Sequence, residues 1–579
     1  MSLTMFSKKE NNDKTKQNSS KQAEKKRSVR IDISSVSKAR SWVSELPLTD
    51  MGEVTRRLFT AISQLNTDSV SPSVRIDISE VLLPYVKMVL ENLDRHFLSR
   101  SFPLPERSQK IFELKKALLL EVAGAYQLAA LEMLTKNTTS KKKLLLSIGR
   151  AVYYMNLVLM NSYEIYAKNE KNLWHDIHHL YLLACENKIQ KKAVPNRDDL
   201  SGEELTIEEQ YMLVNLVALA APNTLRQGEV AKIREFYKKS IRDVSIILNS
   251  DNVKSKYAHI ALLNSDEPAT LMPVSDLVNS PTSRIFDLSK VINNIDKFVS
   301  LSEETEHGTH EMFPMLTHSL AKRLVYILTT IRNRRFKRFP REEKGSMAVR
   351  ISDVIEMIRE NDVMSFHDEV NQDIEDDNIY EVLASEDTVA SPWSDIDIES
   401  LGEEKDVKLY TWLIENSSSG GYGLRQVKIE PSTARVGELV AFKDPKDTSQ
   451  SWQIAVIRWM DSFRDVGLRV GLEILSLHAM TVQVDKISNR EITQNLPVEG
   501  VFLPTIDGAR DEANIIFPSF IFKEGDELTM TLGSREQAVT ITSIDDTVGN
   551  FSYCGFESKE IEDETEGSLA SFDDVWEFL

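Results

Sequence analysis

The sequence predicts a multidomain α+β protein: an N-terminal all-α helical bundle or solenoid, then a small antiparallel β-barrel, then a second small β-domain. Three observations support this. The chain has 579 residues, whereas a single hydrophobic core stops growing at about 250–300. The N-terminal half spaces its apolar residues by three and four, as helices do. Beyond residue 408, short segments rich in Val, Ile, Leu and Trp are separated by Gly, Pro, Asn and Asp, which is typical of antiparallel strands.

Residues 1–38 are rich in Lys, Ser, Asn and Gln, which predicts a disordered, mildly basic tail. The helical domain is expected over 39–331. Antiparallel helix pairs are the expected arrangement there, and no 34-residue repeat is sustained. The helical periodicity is clearest over Ile111–Leu134, Lys143–Ala167, Leu173–Ile189, Ile207–Ala221, Glu229–Leu248 and Met312–Ile331.

The first β-barrel is expected over 332–478, interrupted by an acidic insertion at about 362–406. A second barrel-like domain follows over 479–560, and 561–579 form an acidic tail. The strands predicted for the first barrel are Leu409–Ile414, Gly423–Ile429, Arg435–Phe442, Trp452–Trp459 and Leu468–Leu475. Those predicted for the second domain are Thr481–Val484, Glu499–Leu503, Asn514–Ile516, Glu527–Leu532, Ala538–Ile544 and Asn550–Phe556.

Charge and composition exclude several classes of protein. A net charge of -19 argues against binding a nucleic-acid polymer, which requires basic surface. The two cysteines form no disulfide framework and suit a reducing compartment. The N-terminus lacks the apolar core of a signal peptide, and no run approaches the roughly 18 apolar residues of a membrane span. We therefore expect a cytoplasmic protein that is not inserted in a membrane.

Two short motifs carry the functional prediction. Arg334 and Arg338 lie four residues apart in a basic run, with Arg335 and Arg341 beside them. Guanidinium groups bind phosphate oxygens and the O6/N7 edge of guanine through paired hydrogen bonds, and they stack on bases. Two arginines in an extended segment before a barrel therefore suit a ligand with both phosphates and guanines.

The second motif is the turn Asn416-x-Ser418-x-x-Gly421 at the end of a predicted strand. Asn and Ser side chains hydrogen-bond base edges or phosphates, and Gly420 and Gly421 permit close approach of the backbone. Each motif alone is weak, because RxxxR recurs by chance and SSSGG is an ordinary hairpin sequence. Together, in this order and ahead of barrel strands, they are much more specific.

Over roughly 332–476 the sequence resembles the PilZ family. The resemblance is carried by the two arginines, the IENSSSGGYGL turn, and the strands VGELVAFKD, WQIAVIRWM and GLRVGLEIL. It implies a six-stranded β-barrel that binds cyclic-di-GMP, with Arg334 and Arg338 gripping guanine and phosphate. It further implies that Asn416 and Ser418 hydrogen-bond the ligand and that Gly421 permits the turn.

One feature departs from the family pattern, since 77 residues separate Arg338 from Asn416. If the acidic insertion is disordered, the arginines can still reach the turn. If it folds over the site, its carboxylates compete with the ligand.

The prediction is a non-enzymatic receptor that uses no cofactor or metal and relays ligand binding to a protein partner through its helical region. The pathway stays open among motility, pilus, biofilm and surface-polysaccharide control. The alternative is a scaffold whose degenerate barrel no longer binds nucleotide. A metal hydrolase using His175 and His179 is weaker, because no third ligand follows. Trp459 is expected in the barrel core, with base stacking as the second interpretation.

Overall fold

The structure is a computed structural model that describes residues 31–360 and 407–558, apart from short gaps. The gaps are 99, 137–139, 196–203, 249–252, 254, 277–281, 303–314, 332–335, 448–450, 465, 487–496, 506–511, 534 and 546–547. The acidic insertion, the acidic C-terminal tail and most of the basic N-terminal tail lie outside the described residues.

The predicted helical N-terminal region is confirmed. Several of its helices begin at residues whose side chains satisfy free backbone N–H groups: Asp50, Ser71 and Thr317 each accept a hydrogen bond from the backbone three residues on. The helices are α1 Val36–Ser44, α2 Met51–Thr67, α3 Pro72–Asp94, α4 Glu106–Thr135, α5 Lys141–Glu164, α6 Leu173–Glu186, α7 Ile207–Leu219, α8 Glu229–Ser240, α9 Ser289–Ser302 and α10 His318–Thr329.

A four-stranded sheet within this region was not predicted. Its strand order is β1-β4-β2-β3. The helix expected over Glu229–Leu248 ends at Ser240, because the isoleucines that follow pair with a later strand, as Ile246 does with Phe286. The strands are β1 Ser245–Ile247, β2 Tyr257–Leu262, β3 Thr270–Pro273 and β4 Ser283–Asp287.

The described residues form two compact units. The first contains the residues up to Phe97, Lys110–Leu159 and Asn172–Tyr211. The second contains Leu98–Gln109, Met160–Lys171 and everything from Met212 onward. Part of the helical region therefore belongs to the same unit as the β-domains.

Helices α4 and α5 are long and apolar enough to cross a membrane by length and composition alone. However, 50% and 72% of their most apolar windows are buried inside the fold, as in core helices. They also carry buried cations with partners: Lys115 pairs with Asp94, and Arg150 pairs with Glu80. Buried charges of this kind require such partners.

The first predicted barrel is confirmed as a closed six-stranded antiparallel barrel of order β7-β6-β9-β10-β11-β8, with a short extra strand β5 paired to β7. Its strands are β5 Phe339–Pro340, β6 Lys344–Val349, β7 Tyr410–Ser418, β8 Gly421–Gln426, β9 Leu439–Lys443, β10 Gln453–Phe463 and β11 Gly467–Ser476. Alternate residues fill its interior, among them the fully buried Met347, Trp412, Leu424, Phe442 and Met460.

The second β-domain is also a closed barrel, of order β12-β13-β14-β17-β16-β15. Its strands are β12 Met480–Lys486, β13 Val498–Leu503, β14 Asn514–Pro518, β15 Glu527–Leu532, β16 Arg535–Asp545 and β17 Phe551–Ser558. Residues 351–360 form a further helix, α11. Its Val354 and Ile358 share one buried cluster with Ala441 and Ile454 of the first barrel and Val501 of the second.

Candidate ligand-binding site

A row of four residues crosses the outer face of the first barrel. Asn416 of β7 pairs with Gly423 of β8, Gly423 with Gly471 of β11, and Gly471 with Trp459 of β10. Directly paired residues point to the same side of a sheet, and their chain neighbours point to the other. The neighbours that fill the interior are Leu424, Val470 and Met460. We call the four outward residues the glycine row.

The two glycines make a shallow floor beneath the flanking side chains. A side-chain carbon on Gly423 would lie 2.7 Å from the Asn416 amide nitrogen, and one on Gly471 would overlap the Trp459 indole. Both larger side chains therefore lie flat across the floor and are only half-buried.

Two β-bulges determine which residues reach this face. The ladder between β7 and β8 shifts register between Ile414 and Asn416, and that between β10 and β11 shifts between Ile457 and Trp459. Each extra residue reverses the inward and outward alternation beyond it. Without the second bulge Trp459 would point into the interior. The expectation that Trp459 is barrel core is therefore wrong, since Met460 occupies that interior position.

The predicted turn lies at the end of the β7–β8 hairpin. The Ser418 hydroxyl donates a hydrogen bond to the Gly421 carbonyl oxygen at 3.3 Å. Gly421 has a φ of +155°, and a side chain on it would overlap the Leu472 carbonyl, so only glycine fits. The side-chain oxygen of Asn416 is buried and has no hydrogen-bond partner among the described residues. A buried acceptor without a donor is rare and requires an explanation.

Residues 336–341, which we call the arginine segment, lie against this turn. Phe339 pairs with Ser417, and Pro340 with Asn416, in the short ladder between β5 and β7. The Phe336 ring packs on Gly420, where an added side-chain carbon would lie 2.8 Å from the ring. Arg338 is exposed and makes no hydrogen bond or ion pair within the described part of the chain. Arg334 and Arg335 lie outside the described residues.

Arg341 is held by carboxylates. Two of its nitrogens bond the two Asp444 oxygens at 2.6 and 2.8 Å, and its Nε bonds Glu343 at 2.9 Å. These hydrogen bonds raise the pKa of Arg341. The Tyr422 hydroxyl lies 3.0 Å from an Asp444 oxygen and 3.0 Å from the Gln453 side-chain oxygen. This polar cluster joins the arginine segment to strands β8 and β10 and to the end of β9.

A third set of charges was missed by sequence reasoning. Glu415, at the first bulge, forms an ion pair with the Nε of Arg425 at 3.3 Å and accepts a hydrogen bond from the Nε of Arg469 at 2.8 Å. Arg425 and Arg469 are paired across β8 and β11. Their outward positions follow from strand alternation, but the bulge that brings Glu415 between them leaves no clear signal in the sequence.

The structure offers no support for the metal interpretation. Among the described residues, no group of three or more His, Cys, Asp or Glu side chains could hold a metal ion. His175 and His179 stack with ring centroids 6.4 Å apart. His178, between them in sequence, is buried with its Nδ1 2.9 Å from the Tyr211 hydroxyl.

Comparisons with known proteins agree with this architecture. Residues 37–250 match the family model described as "Cyclic-di-GMP receptor FimW, N-terminal domain", and 360–480 match "Cyclic-di-GMP receptor FimW, middle PilZ domain". The chain is 24% identical over 554 residues to the cyclic-di-GMP receptor FimW of Pseudomonas aeruginosa, covering 90% of each protein. The second match contains the glycine row and the turn, while the arginine segment precedes it.

The Asp444→Ala substitution is expected to destabilise the first barrel by about 2–4 kcal/mol. Removing one partner of a buried ion pair leaves the other charge buried without that partner. The loss of stability lies toward the low end of the range because Glu343 stays paired with Arg341. Calorimetric unfolding of the full chain measures it. Lys446→Ala, which removes an exposed partner of Glu343, is the control and should change stability by under about 0.5 kcal/mol. An equal loss of stability in the two variants would contradict this role of Asp444.

Burial raises the pKa of Tyr422 to about 12, with the Asp444 charge as the second cause. An unfolded tyrosine ionises near pH 10. The neutral phenol therefore stabilises the fold below about pH 10, and this contribution is lost as the pH rises through about 12. Urea unfolding at pH 8 and pH 11 measures the free energy of unfolding of wild type and Tyr422→Phe. Between these pH values wild type should lose more of it than the variant does. Parallel pH dependences would refute this.

Proposed function

Because this chain belongs to the PilZ-domain family, we propose that it is a non-enzymatic cytoplasmic receptor for cyclic-di-GMP. The binding surface is the outer barrel face formed by Arg338, the Asn416–Gly421 turn and Trp459. The observation that carries the proposal is the β5–β7 ladder. It brings the arginine segment beside the turn although 77 residues separate Arg338 from Asn416.

The chemistry of this face matches a guanine dinucleotide. The exposed Arg338 guanidinium can bind a phosphate or the O6/N7 edge of guanine. The unpaired oxygen of Asn416 requires a donor, and the N2 amino group and N1–H of guanine are donors. The Trp459 indole, flat on its glycine, offers a stacking surface for a base. Arg334, four residues before Arg338, is proposed as the second arginine that binds the guanine or phosphate of the ligand.

A route to the helical region begins at Trp459. Two residues further along β10, the Asp461 side chain hydrogen-bonds Asn223. The Ser462 backbone N–H donates to the Tyr166 carbonyl oxygen at 2.7 Å. These contacts lie within the second unit and join β10 directly to segments of the helical region. We propose that they relay ligand binding toward a protein partner bound by the helical region.

The Arg338→Ala substitution should weaken cyclic-di-GMP binding about tenfold or more, because hydrogen bonds to charged groups contribute about 1.5–3 kcal/mol. Isothermal titration of cyclic-di-GMP into the full chain measures this. Lys337→Ala is the matched control, since it removes the neighbouring exposed cation. If both variants bind as wild type does, this face is not the site, and the barrel is better regarded as a scaffold.

Substitutions of Asn416 should change the affinity for cyclic-di-GMP without lowering the stability of the fold. Asn416→Leu removes the unpaired acceptor, so it should weaken cyclic-di-GMP binding about fivefold or more while leaving the thermal midpoint unchanged or higher. Asn416→Asp keeps an acceptor oxygen at this position, because it replaces the amide with a carboxylate, and should bind within a few-fold of wild type. Titration and thermal unfolding of both variants give the answer. Equal affinity for the Leu and Asp variants would remove Asn416 from the site.

A further inference from the structure

We propose that Arg425 and Arg469 form a phosphate subsite at the edge of the glycine row, and that the Glu415 carboxylate occupies this subsite in the ligand-free protein. The inference deepens the proposed function and rests on it for the identity of the ligand. The subsite itself is a statement about anion binding and can be tested without the dinucleotide.

The position of the two arginines follows from strand geometry. Arg425 is two residues beyond Gly423 on β8, and Arg469 is two residues before Gly471 on the antiparallel β11. Residues two apart share a face and lie about 7 Å apart. The arginine pair therefore lies beside the floor on the same outer face, within reach of a dinucleotide lying across that floor.

Glu415 shows what the pair can bind. One carboxylate oxygen forms an ion pair with the Arg425 Nε at 3.3 Å, and the other accepts a hydrogen bond from the Arg469 Nε at 2.8 Å. A single anion thus bridges two guanidinium groups through two oxygens. A phosphodiester presents two such oxygens with the same single charge, and guanidinium groups bind phosphate oxygens through charge-assisted hydrogen bonds.

The subsite is accessible. The side chains of Arg425, Arg469 and Glu415 are 35%, 36% and 25% exposed. The Arg469 guanidinium also lies over the Phe463 ring at 5.9 Å, which holds it toward the surface. Ion pairs this exposed are weak, so an incoming anion can displace the carboxylate at modest cost.

Other charges near the subsite do not close it. Asp461 is paired with Arg469 across β10 and β11. Burial raises the Asp461 pKa, and its side chain hydrogen-bonds Asn223. Arg425 has one carboxylate, Glu415, within ion-pair distance among the described residues. The Glu415 carboxylate is therefore the group that an incoming phosphate must replace.

The first test removes the competing charge. Glu415→Gln keeps the shape and one acceptor oxygen but frees both arginines. It should bind cyclic-di-GMP about five- to thirtyfold more tightly than wild type, the gain expected when two weak ion pairs no longer have to be broken. The double variant Glu415→Gln/Arg425→Gln should lose most of that gain. If wild type binds cyclic-di-GMP, unchanged or weaker binding by Glu415→Gln would overturn the proposal.

The second test uses inorganic phosphate and keeps the subsite separable from the receptor function. Phosphate should raise the thermal midpoint of Glu415→Gln by more than it raises the midpoint of wild type. This larger increase should persist in Glu415→Gln/Arg338→Ala but not in Glu415→Gln/Arg425→Gln. A rise with phosphate but no cyclic-di-GMP binding by any variant would refute the receptor function and support the subsite. No difference from wild type with either probe would refute the subsite.

Discussion

One extra residue in each of two barrel strands determines which side chains lie on the proposed binding face. The bulge at Glu415 turns Asn416 outward, and the bulge at Arg458 does the same for Trp459. Without the bulges, the amide and the indole would compete with Leu424 and Met460 for the interior. The barrel would then lose its packed core, and Asn416 and Trp459 would leave its outer face, because a one-residue shift moves every following side chain to the opposite face.

The arginine segment depends on the same strand. β5 pairs with Ser417 and Asn416, the two residues that follow the first bulge, so the position of Arg338 is set by main-chain hydrogen bonds. The residues that form these bonds lie outside the insertion between β6 and β7. The entropy cost of closing a loop grows only with the logarithm of its length. The long gap between the two motifs is therefore compatible with a complete site.

The helices were predictable because burial imposes a spacing of three and four residues. The strands were predictable from residue composition and turn residues: the strand predicted over Glu527–Leu532 has the observed bounds of β15, and other predicted strands overlap β10 and β11. Composition could not locate the bulges, because a bulge adds one residue without changing the residue types of the strand. The outward position of Trp459 depends on such a bulge and was therefore not predicted. The sheet formed by β1 to β4 was missed because its strands are three to six residues long and lie among helices.

Equivalent arginines acquire different roles from their neighbours. Arg338 and Arg341 are three residues apart, yet the first is exposed and the second is bound by Asp444 and Glu343. Sequence spacing cannot separate them, because Asp444 comes from a strand end about a hundred residues later. The bound arginine anchors the segment to the barrel, and the exposed one is available to a ligand. Anchoring also reduces the entropy lost when a ligand orders the segment.

Strand β10 connects this face to other parts of the second unit. Its first half packs with α11 and the second barrel, and Arg458 at the bulge bonds the Val548 carbonyl oxygen at 2.6 Å. Its last residues bond Asn223 and Tyr166. A ligand that stacks on Trp459, as proposed, would therefore contact a strand that is already bonded at the bulge and at its end. Because packed cores deform little, a shift of that strand is expected to move its neighbours as blocks.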